Sequence, residues 1–480
     1  MVEKEENILE KYELLDSLVQ VRIISEASTV KYVVSEERPF ESERKAIDSI
    51  ISKYREEKLK GSTDDFVEYA SKDGTYKSLD RRGLYFLDRY YLGYGIIQPL
   101  MVDPRIEDIS CDGANESIFV FIKEYGHIET NIRFNTEDSL NFFIRKIVQD
   151  GGKQISVSVP VVETALKDGS RVSASLGRYV TTRGPSFSIR RFREVPISPI
   201  DLMELGSVNS TILAYLWTTI DYGANIMVVG GTATGKTTFL NAILSFVSPD
   251  NKIVTIEDTK ELNLMHENWI STVARNSSGI SGTDDSNLSR IDMFDLLESA
   301  LRHRPNYIVV GEVRGPETFT VFQAMLAGRF GMGTFHADDI ETFIHRLEAR
   351  PISIPRTLIA SLNTAVILDT YYSGGKLMRR VKEIAEIVNV DPGTGELIVN
   401  MVSGKNLQNI SPDSFDSHVF RTISAREGVP YDEIVRQMGL RKKILDRMAE
   451  SGIRKFDSAR KVFALMKTNE KLLLDQLGIH

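Results

Sequence analysis

Gly230-Gly231-Thr232-Ala233-Thr234-Gly235-Lys236-Thr237 meets the phosphate-loop pattern at every specified position. Glycines let backbone N–H groups turn inward around phosphate oxygens, and a helix starting at the loop adds partial positive charge. Lys236 offers a point charge to β- and γ-phosphates, and the Thr237 hydroxyl suits Mg²⁺. These eight residues, with Thr238 next in line, are the candidate contacts for ATP. Splitting a triphosphate also needs a carboxylate near the metal and a group to orient water. Tyr307-Ile-Val-Val-Gly-Glu312 is an apolar run tipped by an acid. Glu312 stands where Asp is more usual, and its longer arm suggests a water between it and Mg²⁺. Lys252-Ile-Val-Thr-Ile-Glu257-Asp258 is a second such run. A lone acid at a strand tip is ordinarily a cap or a solvated turn; two of them flanking a phosphate loop point to chemistry.

Those groups have to be carried by a sheet. Ala224–Val229, Lys252–Ile256 and Tyr307–Val310 read as strands, alternating with helical patterns at Thr237–Phe246 and Met293–His303. That rhythm predicts a parallel α/β sheet with crossover helices, in which ligands sit at the carboxyl ends of the strands. The pattern divides the chain into a mixed, partly helical N-terminal region (1–94), an α/β domain (95–193), a linker (194–200), a core (201–400) and a C-terminal helical region (401–480). The linker falls where REVPISP puts two prolines within four residues, which excludes an interior helix or central strand. Leu18–Ile24, Val30–Val34, Ser117–Lys123, Arg171–Ser175 and Ser186–Phe192 read as strands. Ser42–Lys58, Leu79–Tyr91 and Thr136–Val148 read as helices, as do three short C-terminal runs (Tyr431–Met438, Leu440–Ser451, Asp457–Lys467).

The 480 residues hold 59 Lys and Arg against 67 Asp and Glu, a formal charge of −8, with Lys/Arg-rich runs absent. That balance weighs against a nucleic-acid partner. One cysteine, Cys111, excludes an internal disulfide and a four-cysteine zinc module. No apolar run reaches the ~18–20 residues of a membrane helix, and the acidic opening residues lack the apolar stretch of a secretory signal. A cytoplasmic protein is the expectation.

Taken together, the motifs resemble the secretion/pilus ATPase superfamily, the motors of type II and type IV secretion, type IV pili and archaella. Besides the phosphate loop, the chain has an acidic box (Ile253–Thr259), a variant second nucleotide motif (Val310–Gly315) and a His box, Gly331-Met-Gly-Thr-Phe-His336-Ala337-Asp338. Upstream similarity runs through Lys167–Val172, Pro185–Phe192 and, with an archaeal look, Asp103–Asn115. The resemblance implies a RecA-like phosphate-loop ATPase core preceded by a smaller α/β N-terminal domain, with helical ends, closed into a homo-hexamer. It implies Glu257 as general base or water-positioning acid, Glu312 as the Mg²⁺-linked acid, and His336 as a sensor of the γ-phosphate or a relay of its loss to the neighbouring domain. Arg171 and Arg190 become candidate phosphate contacts, with Arg314 and Arg275 weaker ones. It further implies a Mg²⁺-ATPase at the inner face of the cell membrane, held there by a polytopic platform protein and driving assembly of a type IV pilus-like filament or type II-like secretion. The family often has Thr-Gly-His shortly before the His box, whereas this chain has Ala327-Gly328-Arg329; no role passes to that histidine. A nucleic-acid-translocating RecA-like ATPase is the alternative, and a regulator that binds ATP without turnover is a third reading.

Overall fold

The computed structural model describes residues 7–26, 29–37, 39–57, 74–77, 79–89, 93–192, 195–274, 291–373, 376–402 and 415–479. They fall into two compact units, one within residues 1–193 and the other within 194–480.

The first unit is built on a nine-stranded sheet. Its strands are β1 (Asn7–Leu14), β2 (Val19–Glu26), β3 (Thr29–Glu36), β4 (Ile106–Cys111), β5 (Ser117–Ile122), β6 (Gly126–Arg133), β7 (Val161–Ala165), β8 (Arg171–Ser175) and β9 (Ser186–Arg190). Their order is β1-β2-β3-β6-β5-β4-β9-β8-β7. Only the β3–β6 pairing is parallel, joining Lys31 to Glu129 and Tyr32 to Thr130. Through it the sheet crosses the boundary that the sequence pattern sets at 94/95. One apolar cluster runs from Val19 and Tyr32 to Phe187 and Ile189. Described residues on both sides of that boundary therefore share one core. Strand β1 escapes the sequence pattern because its residues are mostly exposed. The Glu137–Asp150 helix starts on Thr136, whose side chain accepts from the Ser139 N–H, and buries Leu140, Phe143, Ile144, Ile147 and Val148.

The second unit carries an eight-stranded sheet of β10 (Ile226–Gly230), β11 (Ile253–Glu257), β12 (Trp269–Val273), β13 (Tyr307–Val313), β14 (Phe330–Phe335), β15 (Thr364–Ser373), β16 (Lys376–Val390) and β17 (Leu397–Met401). The order is β12-β11-β13-β14-β10-β15-β16-β17. All neighbours from β12 to β15 are parallel, and β15–β16–β17 is an antiparallel extension. Because crossover helices cover both faces, the parallel strands read as unbroken apolar runs. Ile226 and Val228 face one core, and Met227 and Val229 the other. This is the α/β, RecA-like arrangement: one strand, β14, lies between the strand that feeds the phosphate loop and the strand that ends in the second acidic motif.

Two sequence expectations change here. Pro199 and Ile200, placed in the linker, are buried in the first turn of the Pro199–Glu204 helix. Ser198 caps that helix, and the proline occupies an early position whose missing N–H costs nothing. The two C-terminal runs split at Gly439 are one helix, Tyr431–Glu450. Gly439 sits inside it with open space around its α-carbon, so only its modest propensity cost opposes the helix. The C-terminal helices also share a core with the sheet, Phe463 lying in one apolar cluster with Ile226 and Val228 and packing edge-on against Trp217 and Phe246.

Candidate active site

Strand β10 delivers the chain into the loop and the Lys236–Ile243 helix takes it away. Gly235, just before the helix, has φ +88°, and Ala233 has φ +61°, the left-handed region that glycine enters without strain. Gly230 has no room for a side chain: a Cβ would lie 2.5 Å from Thr234 Oγ1 and 3.0 Å from the Leu368 carbonyl oxygen. The carbonyl of Gly231 accepts from two side chains, Lys236 Nζ at 2.8 Å and Thr234 Oγ1 at 3.0 Å. Burial lowers the Lys236 pKa below the ordinary lysine value, while the charges of Glu312, Glu261 and Asp338 pull it back up. A cation partly stripped of water at a helix N-terminus is a prepared anion site.

Glu257 ends β11 and is 1 % exposed. Its Oε1 accepts from the backbone N–H groups of Glu261 (2.9 Å) and Leu262 (2.8 Å). Its Cγ lies 3.1 Å from where a Cβ would stand on Gly311, so glycine at that point in β13 lets the carboxylate lie beside Glu312. Glu312 is half-buried and paired with Arg314, whose guanidinium is also held in its charged form by Asp258 and Glu261. Arg314 is thus an exposed side chain tied to the acidic rim. His336 follows the end of β14, half-buried, and its carbonyl accepts from Arg346 Nη1 at 2.6 Å.

Strand order therefore brings Glu257, Glu312, Arg314 and His336 to the same end of the sheet as the loop, and the Lys236 environment couples it to Glu312 and Arg314. Thr232, Ala233 and Thr238 are exposed, and Thr237 is half-buried in the first helical turn. Arg171 and Arg190 lie in the other unit, directly opposite each other on β8 and β9; Arg190 also faces Asp108 on β4. Arg275 lies outside the described residues. Among the described residues, no three His, Cys, Asp or Glu side chains gather to hold a metal by themselves. The donor chemistry nonetheless fits Mg²⁺: a hydroxyl (Thr237) and a carboxylate (Glu312), with the remaining positions left to phosphate and water oxygens.

Two residues near the loop escaped the sequence reading. Asp338 closes the His box, and its Oδ1 lies 2.8 Å from a Cβ built on Gly231; the motif held the signal. Arg379, on β16, donates from Nε to the Ala233 carbonyl at 2.9 Å. Nothing in its surroundings in the sequence marks it.

A sequence model of the type II/IV secretion system protein family matches residues 92–370. An uncharacterized protein of Methanocaldococcus jannaschii is 40 % identical over 304 residues, 63 % of this chain and 54 % of its own length, so the chain spans about half of that relative. The conjugal transfer protein TrbB of Rhizobium radiobacter is 33 % identical over 275 residues, covering 56 % of this chain and 80 % of TrbB. Among solved structures, the pilus retraction motor PilT with bound ADP aligns over 68 % of this chain and 88 % of its own, at 17 % identity and a TM-score of 0.42. Among the described residues, no helix is long and apolar enough to cross a membrane.

Proposed function

Because the chain belongs to the type II/IV secretion system protein family, we propose that it splits ATP to ADP and phosphate, with Mg²⁺, as the motor of a pilus-like filament or secretion system. The observation that carries this reading is the meeting of a partly desolvated Lys236 with acids from two other strand ends, Glu312 and Asp338. A loop that only bound nucleotide would need the lysine but not also the buried Glu257 carboxylate at the end of β11.

On ATP binding, Lys236 exchanges the Gly231 carbonyl for β- and γ-phosphate oxygens, and loop N–H groups turn onto the same phosphates. Thr237 and Glu312 are the residues to hold Mg²⁺, which neutralises charge on the β- and γ-oxygens when bound. Glu257, its Oε1 pinned by two backbone donors, orients a water and takes its proton as the water oxygen attacks the γ-phosphorus. The bond from phosphorus to the bridging oxygen breaks, leaving ADP and phosphate. His336 registers the presence of the γ-phosphate, and Arg314 keeps Glu312 in place. Arg171 and Arg190 are carried as further phosphate contacts on the resemblance of their motifs. Turnover drives motion only if ATP and ADP bind the motor's conformations with different affinities. A homo-hexameric ring working on a polytopic platform protein at the inner membrane face, and assembling an archaeal pilus-like filament, completes the proposal.

The test is phosphate release by the full chain with ATP and Mg²⁺, beside Lys236→Ala. Turnover in the wild type that falls to background in a folded variant supports the reading. No release above background from the wild type overturns it.

A further inference from the structure

The sheet order distributes chemistry unevenly about the strand that feeds the loop. Glu257, Glu312 and His336 lie at or just past the carboxyl ends of β11, β13 and β14, all on one side of β10. Strands β15 and β16 lie on the other side, and from there one cation reaches back. Arg379, opposite Thr370 in the β15–β16 ladder, donates from Nε to the Ala233 carbonyl at 2.9 Å. Its Cδ would lie 3.3 Å from a Cβ on Gly235, so the side chain lies across the outer turn of the loop, immediately before Lys236. The next residue, Arg380, pairs with Asp369 at 3.5 Å and covers the Tyr371 ring at 4.6 Å; successive strand residues point to opposite faces.

We propose that Arg379 is a specificity-determining contact for the nucleoside end of the substrate. A triphosphate whose γ-phosphate lies toward Glu257 and Glu312 must extend its α-phosphate, ribose and base the opposite way, toward β15 and β16. A guanidinium has five N–H donors in a rigid fork and a planar face. Nε spends one donor on Ala233, and the Nη groups and the face remain suited to an α-phosphate oxygen and to stacking on a purine. The same bond steadies Ala233, a non-glycine residue at φ +61°. This inference rests on the ATPase reading but concerns the part of the nucleotide that does not react. A contact of that kind is equal in ground and transition states, so its loss raises KM and spares kcat.

The experiment compares wild type, Arg379→Ala, Arg379→Gln and Arg380→Ala in the full chain, measuring ATP turnover and the Kd of ADP, with thermal unfolding as the fold control. Arg379→Ala is expected to raise KM for ATP and Kd for ADP by about tenfold, with kcat within about threefold. Arg379→Gln, which keeps a donor for Ala233 without charge or fork, should behave like the alanine variant, and Arg380→Ala like wild type. Unchanged KM and Kd overturn the proposal. So does a loss for ATP with ADP unaffected, which would put Arg379 on the γ-phosphate, and so does full rescue by glutamine, which would reduce it to a support for the loop. A wild type that neither binds ADP nor turns over ATP would instead sink the ATPase reading beneath it.

Discussion

Lys236 Nζ and the Gly231 carbonyl oxygen are 2.8 Å apart, so the loop's only cation closes the loop in which phosphate would sit. The bond satisfies the ammonium only in part, and burial is the larger influence, drawing its pKa below the ordinary 10.5. Folding therefore works against the charged form. A lysine whose folded pKa is depressed costs stability while it is charged, and that cost fades as pH rises through the depressed value toward 10.5.

Lys236→Met removes that cost together with the ATP site. At pH 7 the variant should unfold no earlier than the wild type and hold no nucleotide. As pH is raised toward 10, the wild type should gain on the variant, because it alone sheds an unfavourable charge. Thermal unfolding of both proteins at stepped pH checks the sign. A wild type that loses ground on that climb would mean that the ammonium is stabilised by its surroundings.

A second carboxylate sits where no reaction needs it. Glu386, on β16, is fully buried and accepts from Tyr215 OH (2.6 Å), Ser417 Oγ (2.5 Å), the His418 N–H (2.7 Å) and Asn400 Nδ2 (2.9 Å). Those donors come from the Ser210–Asp221 helix, β17 and the head of the His418–Glu427 helix. One side chain thus fastens the C-terminal helices to the sheet. Glu386→Ala leaves four donors without that acceptor, two of them (Tyr215 and Ser417) fully buried, at a cost of about 3 kcal/mol. Glu386→Gln should cost less but still destabilise, because its NH₂ meets donors. Chemical denaturation ranks the three proteins, and a silent alanine substitution would show that the helices are held by their apolar contacts alone.

The contrast between these two sites shows what the residue pattern could carry. The loop and the acids at Glu257 and Glu312 were legible because local spacing encodes them: apolar strand, turn chemistry, helix. Their shared environment followed from the rule that parallel strands present their carboxyl ends together. Glu386 and Arg379 act across 14 to 171 positions of sequence separation, and no local period records a partner that far away. The joined Tyr431–Glu450 helix was missed because a glycine reads as a break, whereas an open flank lets it pass. The boundary at 94/95 failed because a two-residue parallel pairing, β3 with β6, leaves no compositional mark.

Glu257 is asked to do two jobs, and its geometry lets them be separated. As an acceptor it caps the Glu261 and Leu262 N–H groups through Oε1; as a base it must take a proton. Glutamine can replace it in the first task, since an amide oxygen accepts equally, but cannot serve as a general base near neutral pH. Alanine fails at both. Glu257→Gln is therefore expected to keep the wild-type unfolding midpoint and ATP affinity while turnover falls by about 10²–10⁴. Glu257→Ala should lose turnover similarly and stability as well, by roughly 1–3 kcal/mol for uncapped buried donors. Phosphate release, ATP binding and thermal unfolding on the pair give three independent readings. Turnover that survives in the glutamine variant would transfer the proton-accepting role to Glu312, already engaged by Arg314, and Glu257 would then be a structural acceptor whose burial serves the loop alone.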